Sequence, residues 1–157
     1  GDKDAAVMGH KLGGLLDCGI RHIVNLMEPD ECDHQGRPFA DYTAMYCAMA
    51  RQRGLQASAV RFPVRDVSIP TRETMRAILD DIDRSLSEGS PVYVHCWGGK
   101  GRTGTVVGCY LMRHGLADTR TVLAMIEDLR QPDERAHEPS PETDAQRRMV
   151  LAWREGE

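Results

Sequence analysis

One ten-residue stretch, His95-Cys96-Trp97-Gly98-Gly99-Lys100-Gly101-Arg102-Thr103-Gly104, gathers a cysteine, three closely spaced glycines and an arginine into what reads as a tight turn. The apolar run Val92-Tyr93-Val94 precedes it and reads as a buried strand. The run Val106-Val107-Gly108-Cys109-Tyr110-Leu111 follows and reads as the opening turns of a buried helix. Glycines let successive backbone N–H groups turn inward without Cβ clashes, which shapes a concave anion seat at a helix N-terminus. A phosphate fits such a seat, built here from Trp97, Gly98, Gly99, Lys100 and Gly101, and the planar fork of Arg102 clamps two of its oxygens. Cys96 then lies at the base of the bound phosphate, where the positive field favours thiolate over thiol. Nucleophile and oxyanion cradle share one turn, and the chemistry they suit is covalent phosphoryl transfer.

The same stretch resembles the His-Cys-x5-Arg-Thr signature of cysteine-dependent protein phosphatases, most closely the small dual-specificity type. Cys96, Gly99, Arg102 and Thr103 all fall on the pattern. The alternative is a Cys-x5-Arg loop in another service, as in arsenate reductases or rhodanese-like proteins. The resemblance implies removal of phosphate from phosphotyrosine, extending to phosphoserine and phosphothreonine, through a cysteinyl-phosphate intermediate. It also implies a proton donor. Phe62-Pro63-Val64-Arg65-Asp66-Val67-Ser68-Ile69-Pro70 leaves a strand, enters a proline-punctuated loop and resembles the family's general-acid loop, with Asp66 standing 30 residues before Cys96. The plainer reading of Asp66 is a partner for Arg65 or a turn cap. Asp41, Glu28 and Asp30 are the fallback donors.

Three further residues carry expectations. His95 precedes Cys96 on an extended strand, so their side chains should point to opposite faces. The resemblance gives His95 a structural role toward the loop backbone, with no proton transfer. Thr103 is expected to turn its hydroxyl back at the sulfur, which lowers the proton affinity of the thiolate and helps it leave. It also suits an ordinary helix N-terminal position. Ser140-Pro141-Glu142-Thr143-Asp144-Ala145-Gln146 resembles a segment near the C-terminus of some small dual-specificity phosphatases, whose glutamine is thought to orient water or the phosphate loop. That residue is Gln146 here, against the commoner case of a solvated helix glutamine.

Substrate is less sharply written. Without a tyrosine-rich recognition loop the pocket should be shallow. Lys100 before Gly101-Arg102 resembles the loop of the phosphatase-and-tensin-homologue type, which acts on inositol lipids. That type carries a second lysine directly after its cysteine, where this chain has Trp97, an apolar stacking wall. Phosphoinositide or inositol-phosphate hydrolysis is therefore the second reading, with Lys100 as a rim charge its plain alternative. A phosphate-binding module without turnover is the third.

The elements that must hold these residues alternate strand and helix, an α/β pattern with a mostly parallel sheet and flanking helices. Residues around 5–18 read as a helix stopped at Gly19. Strands are expected at His22–Met27, Ala57–Pro63 and Pro91–His95. Phe39, Tyr42, Tyr46 and Met49 recur at helical spacing up to Gly54. Thr71 to Glu88 should bury Met75, Ile78, Leu79, Ile82 and Leu86 on one face, and Asp118 or Thr119 should cap a helix bearing Val122, Met125, Ile126 and Leu129. Gln131–Pro139 reads as a loop. A last helix is expected to start at Ser140-Pro141-Glu142.

Composition bounds the rest. The 157 residues suit one catalytic domain, 41% hydrophobic and 28% charged. Small phosphatases of the type it resembles begin with a strand-and-turn segment ahead of the region matching residues 1–20, so that segment is expected to be missing and an edge strand exposed. A net charge of −4 argues against nucleic acid as partner. No apolar run reaches membrane-spanning length. Five cysteines at 18, 32, 47, 96 and 109 form no disulfide framework, which suggests a reduced, cytoplasmic setting, and no metal-ligand spacing or other cofactor is implied. The expected partners are a phosphoprotein or phosphopeptide, with phosphate, sulfate or vanadate as loop ligands, and the expected state is a monomer.

Overall fold

The computed structural model describes residues 5–157. The described chain forms two compact units, one built from residues 5–63 and 81–97, the other from residues 64–80 and 98–157.

The first unit carries helix α1 (Ala5–Asp17), strand β1 (His22–Asn25), helix α2 (Thr43–Gln52), strand β2 (Ser58–Arg61) and strand β3 (Val92–His95). The sheet order is β2-β1-β3, and both pairings are parallel. Parallel neighbours cannot be joined by a tight turn, so each return runs through a helix, α2 after β1 and α3 (Arg72–Ser87) after β2. The register sets His22 opposite Ser58 and Val92, and Asn25 opposite Arg61 and His95. Central β1 is buried along its whole length, as the middle strand of a covered parallel sheet must be. Its polar ends are satisfied. His22 Nε2 meets Asp81 Oδ2 at 2.6 Å and Nδ1 meets Ser58 Oγ at 2.7 Å, while Asn25 Oδ1 accepts from the Met27 amide. Leu12 and Leu16 of α1, Ile23 of β1, and Tyr46 and Ala50 of α2 form the core of this unit.

The second unit takes the first turns of α3 and helices α4 (Arg102–Arg113), α5 (Val122–Leu129) and α6 (Asp144–Leu151). Gly108 lets α4 approach its neighbours closely. A Cβ there would stand 2.7 Å from both Val150 methyls and 3.1 Å from Ile126 Cδ1.

The α/β expectation holds, with all three strands parallel, and Gly19, Gly54 and Gly89 all follow helices with positive φ. The strands are shorter than expected by one to three residues. The second helix begins at Thr43 and leaves Phe39 outside it, because residues 32–38 form a small closed excursion with a Cys32–Pro38 bridge and Asp41 Oδ1 accepts the Thr43 amide. Leu86, expected on the buried face, lies in the last turn of α3 and is exposed, as is Leu129 at the end of α5. The α5 helix starts at Val122, after a turn in which Asp118 Oδ1 accepts the amides of Arg120 and Thr121. The last helix starts at Asp144 and not at Pro141, since Thr143 caps it and Ser140 is bonded elsewhere.

Candidate active site

Strand β3 delivers the chain to Cys96. His95, its last residue, is held from both ring nitrogens, by the Tyr42 hydroxyl at Nε2 and, at 3.1 Å, by the Cys96 carbonyl at Nδ1. Burial pushes the Tyr42 phenol well above its ordinary range, so it serves as a neutral hydrogen-bonding group. His95 is thus engaged with the backbone of the residue that follows it. Cys96 is buried, 7% exposed.

Trp97 turns toward the 28–42 excursion. Its indole lies 4.4 Å from the His34 ring and meets Phe39 edge-on at 5.4 Å, the tilted geometries that ring quadrupoles favour. A cavity of about 820 Å³ in the first unit is lined in part by Phe39, Tyr42, Arg61, His95, Cys96 and Trp97. His34 had no signal of its own in the sequence, and Phe39 read only as one position of a helical period.

Past Trp97 the loop belongs to the second unit, and Gly99 and Gly101 differ in why a glycine suits them. Gly99 sits at φ +72, open only to glycine without strain. A Cβ at Gly101 would lie 2.9 Å from Glu142 Oε2 and 3.2 Å from the Gln146 side-chain nitrogen, so a larger residue there would press on both side chains. The Gly98 carbonyl accepts from Arg135 Nη2 and the Lys100 carbonyl from Ser140 Oγ at 2.7 Å, which fix two peptides of the loop from outside. The ammonium of Lys100 meets Glu138 at 2.5 Å and Glu142 at 3.1 Å. The hydrogen bond from Lys100 holds Glu138 below the usual glutamate range, and the same acids push Lys100 up.

Arg102 opens α4 and is 2% exposed. Its Nη1 donates to the Val64 carbonyl at 3.0 Å and its Nη2 pairs with Asp66 Oδ1 at 2.9 Å. The loop that carries Asp66 is therefore tied to the arginine by backbone and side chain together. Asp66 pairs with Arg102 and not with its neighbour Arg65, and its side chain stays 50% exposed. Val67, next to it, has φ +51 and is exposed. Thr103 stands half-buried in the first turn of α4. Gln146 is fully buried, not solvated. Among the described residues no group of three His, Cys, Asp or Glu side chains is placed to hold a metal ion.

The sequence pattern of the Swiss Army Knife proteins, described as a DSP-PTPase phosphatase domain, matches residues 4–152. The chain belongs to this phosphatase family. Among solved structures, Tk-PTP in its active form matches with a TM-score of 0.67 and 25% identity over 90% of this chain and 82% of its own. Kinase associated phosphatase shares the fold, at TM-score 0.64 and 21% identity over 90% of this chain and 72% of that one. The phosphatidylglycerophosphate phosphatase PTPMT1 of Arabidopsis thaliana is 33% identical over 101 residues, 64% of this chain and 26% of that protein. An uncharacterised protein of Methanocaldococcus jannaschii is 36% identical over 91 residues, 58% of this chain and 52% of the other. The chain spans about half the length, or less, of the curated relatives it matches.

Proposed function

We propose that this domain hydrolyses phosphate monoesters through a cysteinyl-phosphate intermediate, with phosphotyrosine in proteins as the preferred class and phosphoserine and phosphothreonine as further substrates. The observation that carries the reading is the Asp66–Arg102 pair, which brings the expected proton donor to the expected phosphate clamp.

In the first step the Cys96 thiolate attacks phosphorus. An S–P bond forms, the ester P–O bond breaks, and Asp66 gives its proton to the departing oxygen. Arg102 and the loop amides hold the equatorial oxygens, where charge gathers in the transition state. In the second step Asp66 takes a proton from water as that water attacks phosphorus. The S–P bond breaks, Thr103 steadies the returning thiolate, and inorganic phosphate leaves.

The aryl preference is supported by the wall that Trp97, His34 and Phe39 form directly after the nucleophile. A second reading, a lipid phosphate monoester, has the similarity to the Arabidopsis phosphatidylglycerophosphate phosphatase behind it. An inositol polyphosphate is less well served, because the Lys100 charge is already met by Glu138 and Glu142. No helix among the described residues is long and apolar enough to cross a membrane.

Turnover of an aryl phosphate by the wild-type chain, its loss in Cys96→Ser, and retained phosphate binding in that variant are the expected results. Turnover by the Ser variant would overturn the mechanism, and an inactive wild type would leave a phosphate-binding module. Asp66→Asn should slow phenyl phosphate by about 10²–10⁴-fold and spare 2,4-dinitrophenyl phosphate, whose leaving group departs unprotonated. Relative kcat/KM for a phosphotyrosyl peptide and a short-chain lipid phosphate decides between the substrate classes.

A further inference from the structure

We infer that Gln146 is a positioning residue for the proton donor, acting on Asp66 through the Ser68 carbonyl; the inference rests on the assignment of Asp66 as the acid. Gln146 has no exposure to solvent. Its amide oxygen accepts the backbone N–H groups of Glu142 and Thr143, each at 3.1 Å, while Thr143 Oγ1 accepts the Gln146 amide. This is a complete capping box, which closes the N-terminus of α6.

A capping box needs only an acceptor at this position, and glutamate fills it as well as glutamine does. The side-chain nitrogen does something the cap does not require. It donates to the Ser68 carbonyl at 3.0 Å, reaching from the last helix to the acid loop. On the other side of Asp66 the Val64 carbonyl is held by Arg102 Nη1. Asp66 therefore lies on a short arc pinned at both ends, by Arg102 before it and by Gln146 after it. Within the arc the Ser68 amide donates to the Arg65 carbonyl, and Val67 takes its positive φ. Of the two pins, only the Gln146 one is separate from the phosphate clamp. It sets where the acid stands without touching the reacting atoms.

The test compares Gln146→Glu and Gln146→Met, each alone and combined with Asp66→Asn. Gln146→Glu keeps the acceptor that caps α6 and, where the carboxyl is ionised, turns a second acceptor on the Ser68 carbonyl, so the pin is lost; urea unfolding checks that this variant, with a charge at a position closed to solvent, is folded. Gln146→Met removes both functions and reports the cost of the cap. With the arc released by the order of an ångström, kcat for phenyl phosphate should fall by about 10- to 100-fold in both variants. The rate with 2,4-dinitrophenyl phosphate should change less than about threefold, and the alkaline limb of the kcat–pH profile should flatten for the poor leaving group. In the Asp66→Asn background neither substitution should cost phenyl phosphate turnover any further.

An equal loss on both leaving groups in Gln146→Glu, or a full further loss on top of Asp66→Asn, overturns the positioning role while Asp66 stands. If Asp66→Asn alone slows both substrates equally, the acid assignment falls and takes this inference with it.

Discussion

Gly104→Ala probes how the phosphate loop is held from outside. Gly104 lies in the first turn of α4, and an ideal Cβ there would stand 2.2 Å from Ser140 Oγ. Ordinary contact begins at 3.4 Å, so the hydroxyl must retreat by 3.4 − 2.2 = 1.2 Å. The Pro141 backbone behind it sits at 3.5 Å and need not move. The hydroxyl that must go is the one donating to the Lys100 carbonyl, on a serine only 2% exposed. Leaving that carbonyl unpaired costs about 1–3 kcal/mol. Alanine in place of glycine returns about 1 kcal/mol of helix propensity. The net is a loss of about 0–2 kcal/mol, a melting temperature lowered by a few degrees in a chain of this length. Activity should fall further than stability, because the freed peptide belongs to the proposed anion seat. A kcat/KM reduced by about tenfold or more on an aryl phosphate is expected, in line with the cost of small misplacements. Ser140→Ala removes the obstacle, so adding Gly104→Ala to it should cost little, a clear departure from additivity. A Gly104→Ala enzyme that melts higher and turns over normally, or strict additivity with Ser140→Ala, would refute the reasoning.

Three other expectations follow from the geometry. Burial pushes the Cys109 thiol up to about 12, so iodoacetamide at pH 8 should label exposed Cys18 and Cys32 and spare Cys109, as read by peptide mass; early labelling of Cys109 contradicts its burial. Lys100 holds Glu138 below the usual 4.5, so this pair stabilises the fold above that pH and stops doing so as pH falls through the lowered value. Urea unfolding of Lys100→Met should therefore lose less stability than wild type between pH 5 and the acid limb near pH 3, a comparison on the order of the Asp/Glu titration range, and parallel curves would dismiss the pair. Asp81→Ala strips the buried His22 ring of its Nε2 partner and should cost about 1–3 kcal/mol in urea unfolding, with Ser58→Ala milder because it removes a hydroxyl from the strand edge; a neutral Asp81→Ala would show the histidine satisfied otherwise.

Much of the fold was legible because period and length carry it. The run before Cys96 and the one after Gly104 could hardly be other than strand and helix, and the glycine stops fell where chain reversal demands positive φ. Asp66 and Arg102, singled out as residue types at a spacing, lie side by side in the structure. What escaped depended on partners far away in sequence. Ser140 looked like a helix cap, but its hydroxyl is spent on the Lys100 carbonyl, and the cap passed to Thr143. The pair Thr143-x-x-Gln146 did carry a readable capping-box signal. Nothing local marked Gln146 as buried, since burial is decided by what packs over a helix and not by the helix itself. Phe39 fitted a helical period by coincidence, and its ring instead faces Trp97 from the excursion before α2. Lys100 read equally as a substrate contact or a rim charge until Glu138 and Glu142 were seen beside it.

Val67 keeps a β-branched side chain at φ +51 while its valine is 57% exposed, so no packing repays the awkward backbone. Such a conformation costs on the order of 1–3 kcal/mol. Glycine at 67 would recover part of that and raise the melting temperature, yet it would also widen the range of positions open to the neighbouring carboxyl. Val67→Gly is then a substitution that a screen for heat resistance would collect and a screen for turnover of unactivated esters would discard. Valine at 67 therefore sets backbone ease against the range of positions open to the carboxyl beside it.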